Sequence, residues 1–151
     1  MIRRVEAGDR ERILELLKEN FPEESYPFLV FELEDAIRGA VEGYVYEKGG
    51  IVLGYIVLRF FGGAYNIDTL VVDKDVRGKG YGSILVSFAK EQCKSQNVRQ
   101  MNVCTFFEDK IGFYKKQGFK EMGSLEGPFA PFEKKRTYLK WINEKFNSGM
   151  K

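Results

Sequence analysis

A strand, a basic glycine-rich turn and a helix follow one another in the middle of this chain. The run AYNIDTLVV is typical of a strand, and the turn VRGKGYG holds three glycines beside an arginine and a lysine. Glycine lets the backbone approach a ligand closely, and a helix N-terminus offers unpaired N–H groups, so the arrangement is typical of a phosphate site. The helix SILVSFAKEQCKSQ follows, and its period predicts an inward face of Ile84, Leu85, Phe88, Ala89 and Gln92.

The other segments predict one α/β domain over residues 1–151. A short strand precedes a helix that begins at Asp9 as its N-cap, and a second helix fits residues 29–40. A hairpin around Lys48-Gly49-Gly50, the strand RQMNVCTF, the short helix DKIGFYKKQG and two late strands complete the chain. This order, and a length of 151 residues, favour a single domain with a mixed central sheet flanked by helices.

The chain contains no histidine. This excludes Ser-His-Asp and Cys-His catalysis, zinc proteases with two histidine ligands, and acid–base chemistry by imidazole. No set of residues has a metal-like spacing, so no metal is expected. A catalytic acid or base has to be a carboxylate, a tyrosine, a lysine, a cysteine or water.

Charge and hydropathy limit the partners that we expect. The net charge of +2 is small for a nucleic-acid binder, and no apolar run is long enough to span a bilayer. The charged N-terminal sequence has no signal-peptide pattern. We therefore expect a cytoplasmic protein without nucleic-acid or membrane partners, although the basic segment EKKRTYLK leaves RNA binding as a remote alternative.

The spacing within the glycine turn excludes two common nucleotide motifs. A Walker A loop needs Gly-Lys followed by Ser or Thr, whereas Lys79 precedes Gly80 here. The dinucleotide fingerprint needs G-x-G-x-x-G within an N-terminal βαβ unit, and this turn reads G-x-G-x-G. The pattern that remains is Arg-x-x-Gly-x-Gly.

That pattern lies in LVVDKDVRGKGYGSILV, which resembles the acetyl-coenzyme A signature of the GCN5-related N-acetyltransferases (GNAT family). Downstream, IGFYKKQGF resembles the closing motif of the same family, a tyrosine on a short helix before Gly-Phe. The resemblance is tight over residues 65–121 and agrees with the element order elsewhere. It implies the acyl-CoA N-acyltransferase fold and an enzyme that uses acetyl-CoA as co-substrate.

The resemblance also implies roles for individual residues. The backbone of Leu70, Val71 and Val72 would pair with the pantetheine arm of the cofactor, and Tyr114 would lie by its sulfur. The pyrophosphate would be held by the turn and the start of the helix, that is by Arg77, Gly78, Lys79, Gly80, Tyr81, Gly82 and Ser83. Two positions depart from the family pattern: Phe107 stands where an asparagine is common, and Lys110 stands where a small residue is usual.

The implied reaction is attack of a neutral amine on the thioester. Tyr114 is the candidate acid for the leaving thiolate, and a backbone N–H near Val71 or Val72 is the candidate donor to the oxyanion. With no histidine, the base is Asp68, Glu108 or a water chain. Asp68 lies among apolar residues of a strand; a buried carboxylate with a raised pKa would suit a base, and the alternative is that it caps a neighbouring backbone group.

The acceptor is less well defined by the sequence. The family's acceptor pocket uses the first two helices and a late loop, where aromatic residues would form walls and acidic residues would attract a cationic amine: Phe21, Tyr26, Phe28, Phe129 and Phe132, with Glu23, Glu24 and Glu32. Small amines and peptide or protein N-termini are both open, and so is a homodimer. The alternative is a non-catalytic acyl-CoA-binding module on the same fold.

Overall fold

The computed structural model describes residues 1–127 and 135–149 of the chain. In this part it has seven strands and four helices, which follow in chain order: β1 (Ile2–Arg4), α1 (Arg10–Asn20), α2 (Tyr26–Ile37), β2 (Glu42–Lys48), β3 (Ile51–Phe61), β4 (Ala64–Val72), α3 (Tyr81–Ser95), β5 (Gln100–Thr105), α4 (Glu108–Lys116), β6 (Lys120–Leu125) and β7 (Arg136–Ile142). None of these helices is long and apolar enough to cross a membrane.

The strands form one sheet in the order β1-β2-β3-β4-β5-β7-β6. Strands β4 and β5 are parallel, and β1–β2, β2–β3, β5–β7 and β6–β7 are antiparallel. The two-residue turn Gly62–Gly63 joins β3 to β4, which makes that pair an antiparallel hairpin. The predicted α/β architecture with a mixed sheet is thus confirmed.

The chain divides into two compact units. The first unit comprises Met1–Arg59 and Asp68–Ser87, and the second comprises Phe60–Ile67 and Phe88–Lys151. The boundaries fall inside β3, β4 and α3, so each of these elements contributes residues to both units.

In the first unit, α1 and α2 bury their apolar faces against the strands. Ile13, Leu16 and Leu33 are completely buried, and they share one apolar cluster with Tyr55 and Val71. Helix α2 approaches β2 closely at Gly43, where a Cβ atom would lie 2.7 Å from the Cβ of Ala36 and 3.0 Å from Cγ1 of Val5. Glycine is therefore required at position 43 by packing.

In the second unit, the central strands β5 and β7 bury alternate side chains. Met101 and Leu139 are completely buried on these strands. The ammonium of Lys90 lies 5.3 Å from the ring centroid of Trp141 and donates a hydrogen bond to the carbonyl of Gln117. Strand β6 is exposed along its whole length, as expected for the last strand of the sheet order.

Two local predictions were wrong, and a third was right in position only. Asp9 is the N-cap residue of α1 as predicted, but its carboxylate makes no capping bond, because it accepts two 2.9 Å hydrogen bonds from Arg3 and one from the Glu6 amide. Helix α2 begins at Tyr26 rather than at residue 29, since Pro27 is tolerated in a first turn. Ile84 is 41% exposed, whereas Leu85 and Ala89 are buried as predicted, together with Val86 and Cys93.

We predict that Gly43→Ala destabilises the protein by about 1–3 kcal/mol, because the new methyl overlaps Ala36 and Val5 in a filled core. The matched control is Gly112→Ala on the exposed side of α4, where a Cβ meets nothing within 4 Å. This control should gain about 0.5–1 kcal/mol from helix propensity. Chemical denaturation measures both changes, and equal stabilities for the two variants would contradict the close approach of α2.

Candidate active site

Strand β4 leads into the glycine turn through a fixed corner in the first unit. The carboxylate of Asp73 accepts a 2.8 Å hydrogen bond from the amide of Asp75 and pairs with Arg12 of α1. The amide of Asp73 donates to the carbonyl of Leu53 in β3 at 2.8 Å. These bonds hold the end of β4 in a defined direction before the turn begins.

The turn itself needs glycine at two positions. Gly78 and Gly80 have φ angles of +81° and +91°, which side chains with a Cβ rarely adopt. A Cβ at either position would meet nothing within 4 Å, so glycine is required there by backbone conformation rather than by packing. Arg77, Lys79 and both glycines are exposed, and the turn therefore presents backbone and positive charge to solvent.

Helix α3 begins where the turn ends. Its hydrogen-bond ladder starts with the bond from the Ile84 amide to the Gly80 carbonyl at 3.0 Å, so the amides of Tyr81 and Gly82 precede the ladder. The helix dipole adds partial positive charge at this end, and Ser83 lies in the same first turn. The turn and the helix start together have the properties of an anion site.

Side chains brace the turn on two sides. Arg77 donates a hydrogen bond to Asn20 at the end of α1, and Asn20 donates in turn to the carbonyl of Val72 at 3.5 Å. The ring of Tyr81 lies 4.9 Å from that of Tyr46 in β2. These contacts link the turn to the N-terminal helix and to the β2–β3 hairpin.

The last five residues of β4 extend past the part of the strand that pairs with β5. The β4–β5 ladder pairs Ala64–Ile67 with Gln100–Val103, and β4 extends to Val72. The Asp73 amide bonds to β3, and a Cβ at Gly54 in β3 would lie 3.4 Å from the Val71 carbonyl. Since successive residues of a strand direct their backbone groups to opposite edges, the amides of Leu70 and Val72 face away from β3.

Asp68 differs from the expectation of burial. It is exposed, and its carboxylate accepts a 2.7 Å hydrogen bond from Nε of Arg59 in β3. The expectation failed because a residue beyond the β4–β5 ladder can be open to solvent although it lies within a strand. The carboxylate of Asp68 is thus an ion-pair partner.

A second carboxylate, Glu32 of α2, lies beside Asp68. Its side chain is 15% exposed, and it accepts a hydrogen bond from the hydroxyl of Thr69. Arg59 Nη2 is 4.0 Å from Glu32 Oε2. Burial, together with the charge of Asp68, raises the pKa of Glu32 to about 7 against the opposing effects of Thr69 and Arg59. From the sequence, Glu32 was expected only as a source of negative charge.

Tyr55 of β3 completes this group. The residue is 1% exposed, and within the described part of the chain its hydroxyl oxygen has no hydrogen-bond partner. Burial and then the charge of Glu32 raise the pKa of Tyr55 far above its usual value, so the hydroxyl stays protonated and lies in the field of that carboxylate. We call Tyr55, Arg59, Asp68 and Thr69 around Glu32 the Glu32 cluster.

In the second unit, Tyr114 is buried on α4. Its ring makes edge contacts with Phe113 and Phe119, with centroids 5.1 and 5.4 Å apart. Burial raises its pKa well above the usual value for tyrosine, so the phenol is protonated at neutral pH. Phe107 precedes α4 in extended backbone, and its amide donates to the hydroxyl of Thr105 at 3.1 Å.

The candidate residues for the acceptor are only partly described. Glu23 lies in the short 3-10 turn before α2, and Phe28 on that helix is 59% exposed. Phe129 and Phe132 lie outside the described residues. Among residues 1–127 and 135–149, no group of three or more His, Cys, Asp or Glu side chains could hold a metal ion.

Comparison with known proteins identifies the family. The sequence model described as "Acetyltransferase (GNAT) domain" matches residues 28–121. The peptidyl-lysine N-acetyltransferase YjaB of Escherichia coli is 41% identical over 101 residues, which are 63% of this chain and 63% of that protein. The chain thus matches less than two thirds of the length of this curated relative.

Solved structures share the fold at low sequence identity. A putative acetyltransferase of the GNAT family from Desulfovibrio desulfuricans has a TM-score of 0.81 at 16% identity, covering 94% of this chain and 98% of that one. A phosphinothricin acetyltransferase from Sinorhizobium meliloti, solved in complex with AcCoA, has a TM-score of 0.75 at 20% identity, covering 100% and 91%. The resemblance found in the glycine turn is confirmed: the chain belongs to the GNAT acetyltransferase family.

Proposed function

We propose that this protein transfers the acetyl group of acetyl-CoA to a primary amine by direct attack of the amine on the thioester. The observation that carries the proposal is the exposed turn at the start of α3, where Gly78 and Gly80 have positive φ angles. Exposed glycines of this conformation, next to Arg77 and Lys79, suit a backbone that receives a polyanion.

The coenzyme would occupy the turn and the end of β4. Its pyrophosphate would accept hydrogen bonds from amides between Gly78 and Ser83, with Arg77 and Lys79 adding positive charge. Its pantetheine arm would pair with the amides of Leu70 and Val72, which face away from β3. A backbone N–H near Val71 or Val72 stays the candidate donor to the oxyanion.

The chemistry has to balance two protons. The ammonium loses one proton before attack, the nitrogen lone pair forms the C–N bond, and the C–S bond breaks to release a thiolate. We propose that Tyr114 protonates the thiolate, since burial keeps its phenol protonated. The second proton leaves the nitrogen as the amide forms and restores the phenol.

The acceptor that we propose is a primary amine on a small molecule or a peptide. The E. coli relative is named as a peptidyl-lysine N-acetyltransferase, which supports adding the lysine ε-amine to the candidates. Asp68 and Glu32 supply negative charge for an ammonium in the first unit. Asp68 is proposed as part of this acidic site.

The transfer itself is tested with the pure protein and acetyl-CoA. We expect release of free thiol only when an amine is present, from a panel that includes lysine peptides, free peptide N-termini, polyamines and amino acids. Binding of acetyl-CoA without thiol release from any member would instead favour the non-catalytic binding module. Failure to bind acetyl-CoA would overturn the assignment of the turn.

We predict that Gly80→Ala weakens CoA binding at least tenfold, because alanine strains the left-handed backbone that presents the amides. The matched control is Gly39→Ala after α2, where φ is +82° and a Cβ likewise meets nothing within 4 Å. Both variants should lose about 1–2 kcal/mol of stability. Calorimetric titration should separate them, and an equal CoA affinity would argue against the turn as the phosphate site.

We predict that Tyr114→Phe lowers kcat by roughly 10²-fold or more with little change in CoA affinity, because only the proton donor is removed. Phenylalanine keeps the ring contacts with Phe113 and Phe119. The control is Tyr44→Phe, which removes a hydroxyl that donates to Glu42 at 2.9 Å. Steady-state kinetics with calorimetry measure both quantities, and parallel losses in turnover and affinity would refute the acid role.

A further inference from the structure

The Glu32 cluster contains the buried hydroxyl of Tyr55, which has no hydrogen-bond partner among the described residues, and the mostly buried carboxylate of Glu32. We propose that Glu32 accepts the proton of the acceptor's primary ammonium, while Asp68 positions Arg59 beside it. This inference rests on the proposed function, since it assigns the base of that same reaction.

The hydrogen-bonding partners distinguish Glu32 from Asp68. The Asp68 carboxylate is held at 2.7 Å by Nε of a guanidinium, which is a permanent positive charge. Glu32 accepts a hydrogen bond from the neutral hydroxyl of Thr69 and lies within hydrogen-bonding reach of Asp68, and Arg59 Nη2 is 4.0 Å from its Oε2. The proton affinity of a carboxylate falls beside a cation and rises on burial. Glu32 is therefore the carboxylate of this pair whose pKa burial raises.

The protonation range of Glu32 suits this task. Burial raises its pKa to about 7, so near neutral pH a large fraction of the side chain is ionised and can take a proton, yet its conjugate acid can also release it. General bases work best when their pKa lies near the working pH.

The charged groups around Glu32 would be balanced by a further cation. Arg59 faces it from β3, and Asp68 faces it from β4. On α2 itself, Asp35 pairs with Arg38 at 2.6 Å. From α1, Arg10 bonds to Glu34 instead, at 2.6 Å. Two carboxylates thus share the guanidinium of Arg59, and an ammonium would balance the second negative charge.

Tyr55 is the independent observation that points to a ligand. A tyrosine hydroxyl that is fully buried normally finds a partner, whereas this one has none within the described residues. A primary ammonium has three N–H donors, and the oxygens of Tyr55 and Glu32 could accept two of them. Transfer of the proton that points at Glu32 leaves the lone pair on that side of the nitrogen, and rotation about the C–N bond of the amine then turns it toward the thioester.

The Glu32 cluster also lies beside the part of β4 where the proposed reaction needs the acyl group of the cofactor. Asp68 and Thr69 come immediately before the segment Leu70–Val72. The amides of Leu70 and Val72 are the groups proposed to pair with the pantetheine arm. The pyrophosphate turn lies at the opposite end of that stretch, at Arg77–Gly82. A cofactor extended along β4 from the turn would direct its thioester toward Glu32.

The step transfers one proton. The Glu32 carboxylate takes it from R–NH3⁺, which leaves R–NH2 and a neutral carboxyl group, and the amine lone pair then forms the C–N bond. After the C–S bond has broken and the product has left, Glu32 gives its proton to water. No oxidant, metal or further reactant is needed.

The test compares Glu32→Gln with the matched control Glu34→Gln two residues later on α2, whose carboxylate bonds to Arg10 on the exposed side. In the wild type, kcat/KM should fall as the pH drops through about 7, since the base becomes protonated. Glu32→Gln should lose this limb and roughly 10²-fold of kcat/KM at pH 8. Glu34→Gln should keep both.

Two further measurements exclude a merely structural effect. The CoA dissociation constant, measured by calorimetry, should be unchanged in Glu32→Gln, which a misfolded variant would not allow. Glu32→Asp should restore a titrating limb because it keeps a carboxylate. Tyr55→Phe should raise KM for the amine several-fold without changing CoA affinity.

The outcomes separate this inference from the proposed function. If the wild type releases thiol and Glu32→Gln keeps the wild-type pH profile, Glu32 is not the base although the transferase remains. If the wild type transfers acetyl groups to no amine, both fall together. A loss of CoA affinity in Glu32→Gln that is as large as its loss of kcat/KM would also overturn the assignment.

Discussion

The early end of the parallel ladder between β4 and β5 is the constraint on which the site depends. Four residues of β4 pair with β5, and five more continue to Val72. Backbone N–H groups need partners unless water or a ligand reaches them. A strand edge left in this state is suited to an extended molecule with amide groups of its own, and pantetheine has this chemistry. Among the described residues no strand pairs with this edge of β4 beyond Ile67, and the edge is therefore the proposed place for the pantetheine arm.

The first unit separates charges of opposite sign along β4 and its continuation. Arg77 and Lys79 lie after the strand, whereas Glu32 and Asp68 lie near the residue at which the ladder stops. The positive end would attract the anionic phosphates of a cofactor, whose uncharged acyl group would then lie toward the acidic end. An ammonium would be drawn to the acidic end, since like charges repel it from the turn. One strand can therefore align two reactants.

The parts of the site that the sequence predicted are those that depend on local chemistry. The glycine turn follows from φ preferences and from the start of a helix, and both are properties of adjacent residues. The Glu32 cluster was not recognised as a unit because its members come from three segments, in α2, β3 and β4. Asp68 was misjudged for the same reason, since its exposure depends on where β5 stops pairing. Ile84 was assigned to the buried face because helical period fixes the relative angles of side chains but not the direction of the core.

The position of the single tryptophan has a spectroscopic consequence. Trp141 belongs to the second unit, and the ammonium groups of Lys90 and Lys94 lie 5.3 and 5.9 Å from its ring centroid. Its emission therefore reports the local environment of β7 and the C-terminal half of α3, whereas circular dichroism averages over every helix and strand. Comparing the two signals during unfolding distinguishes a chain that melts in one step from one whose halves lose structure separately.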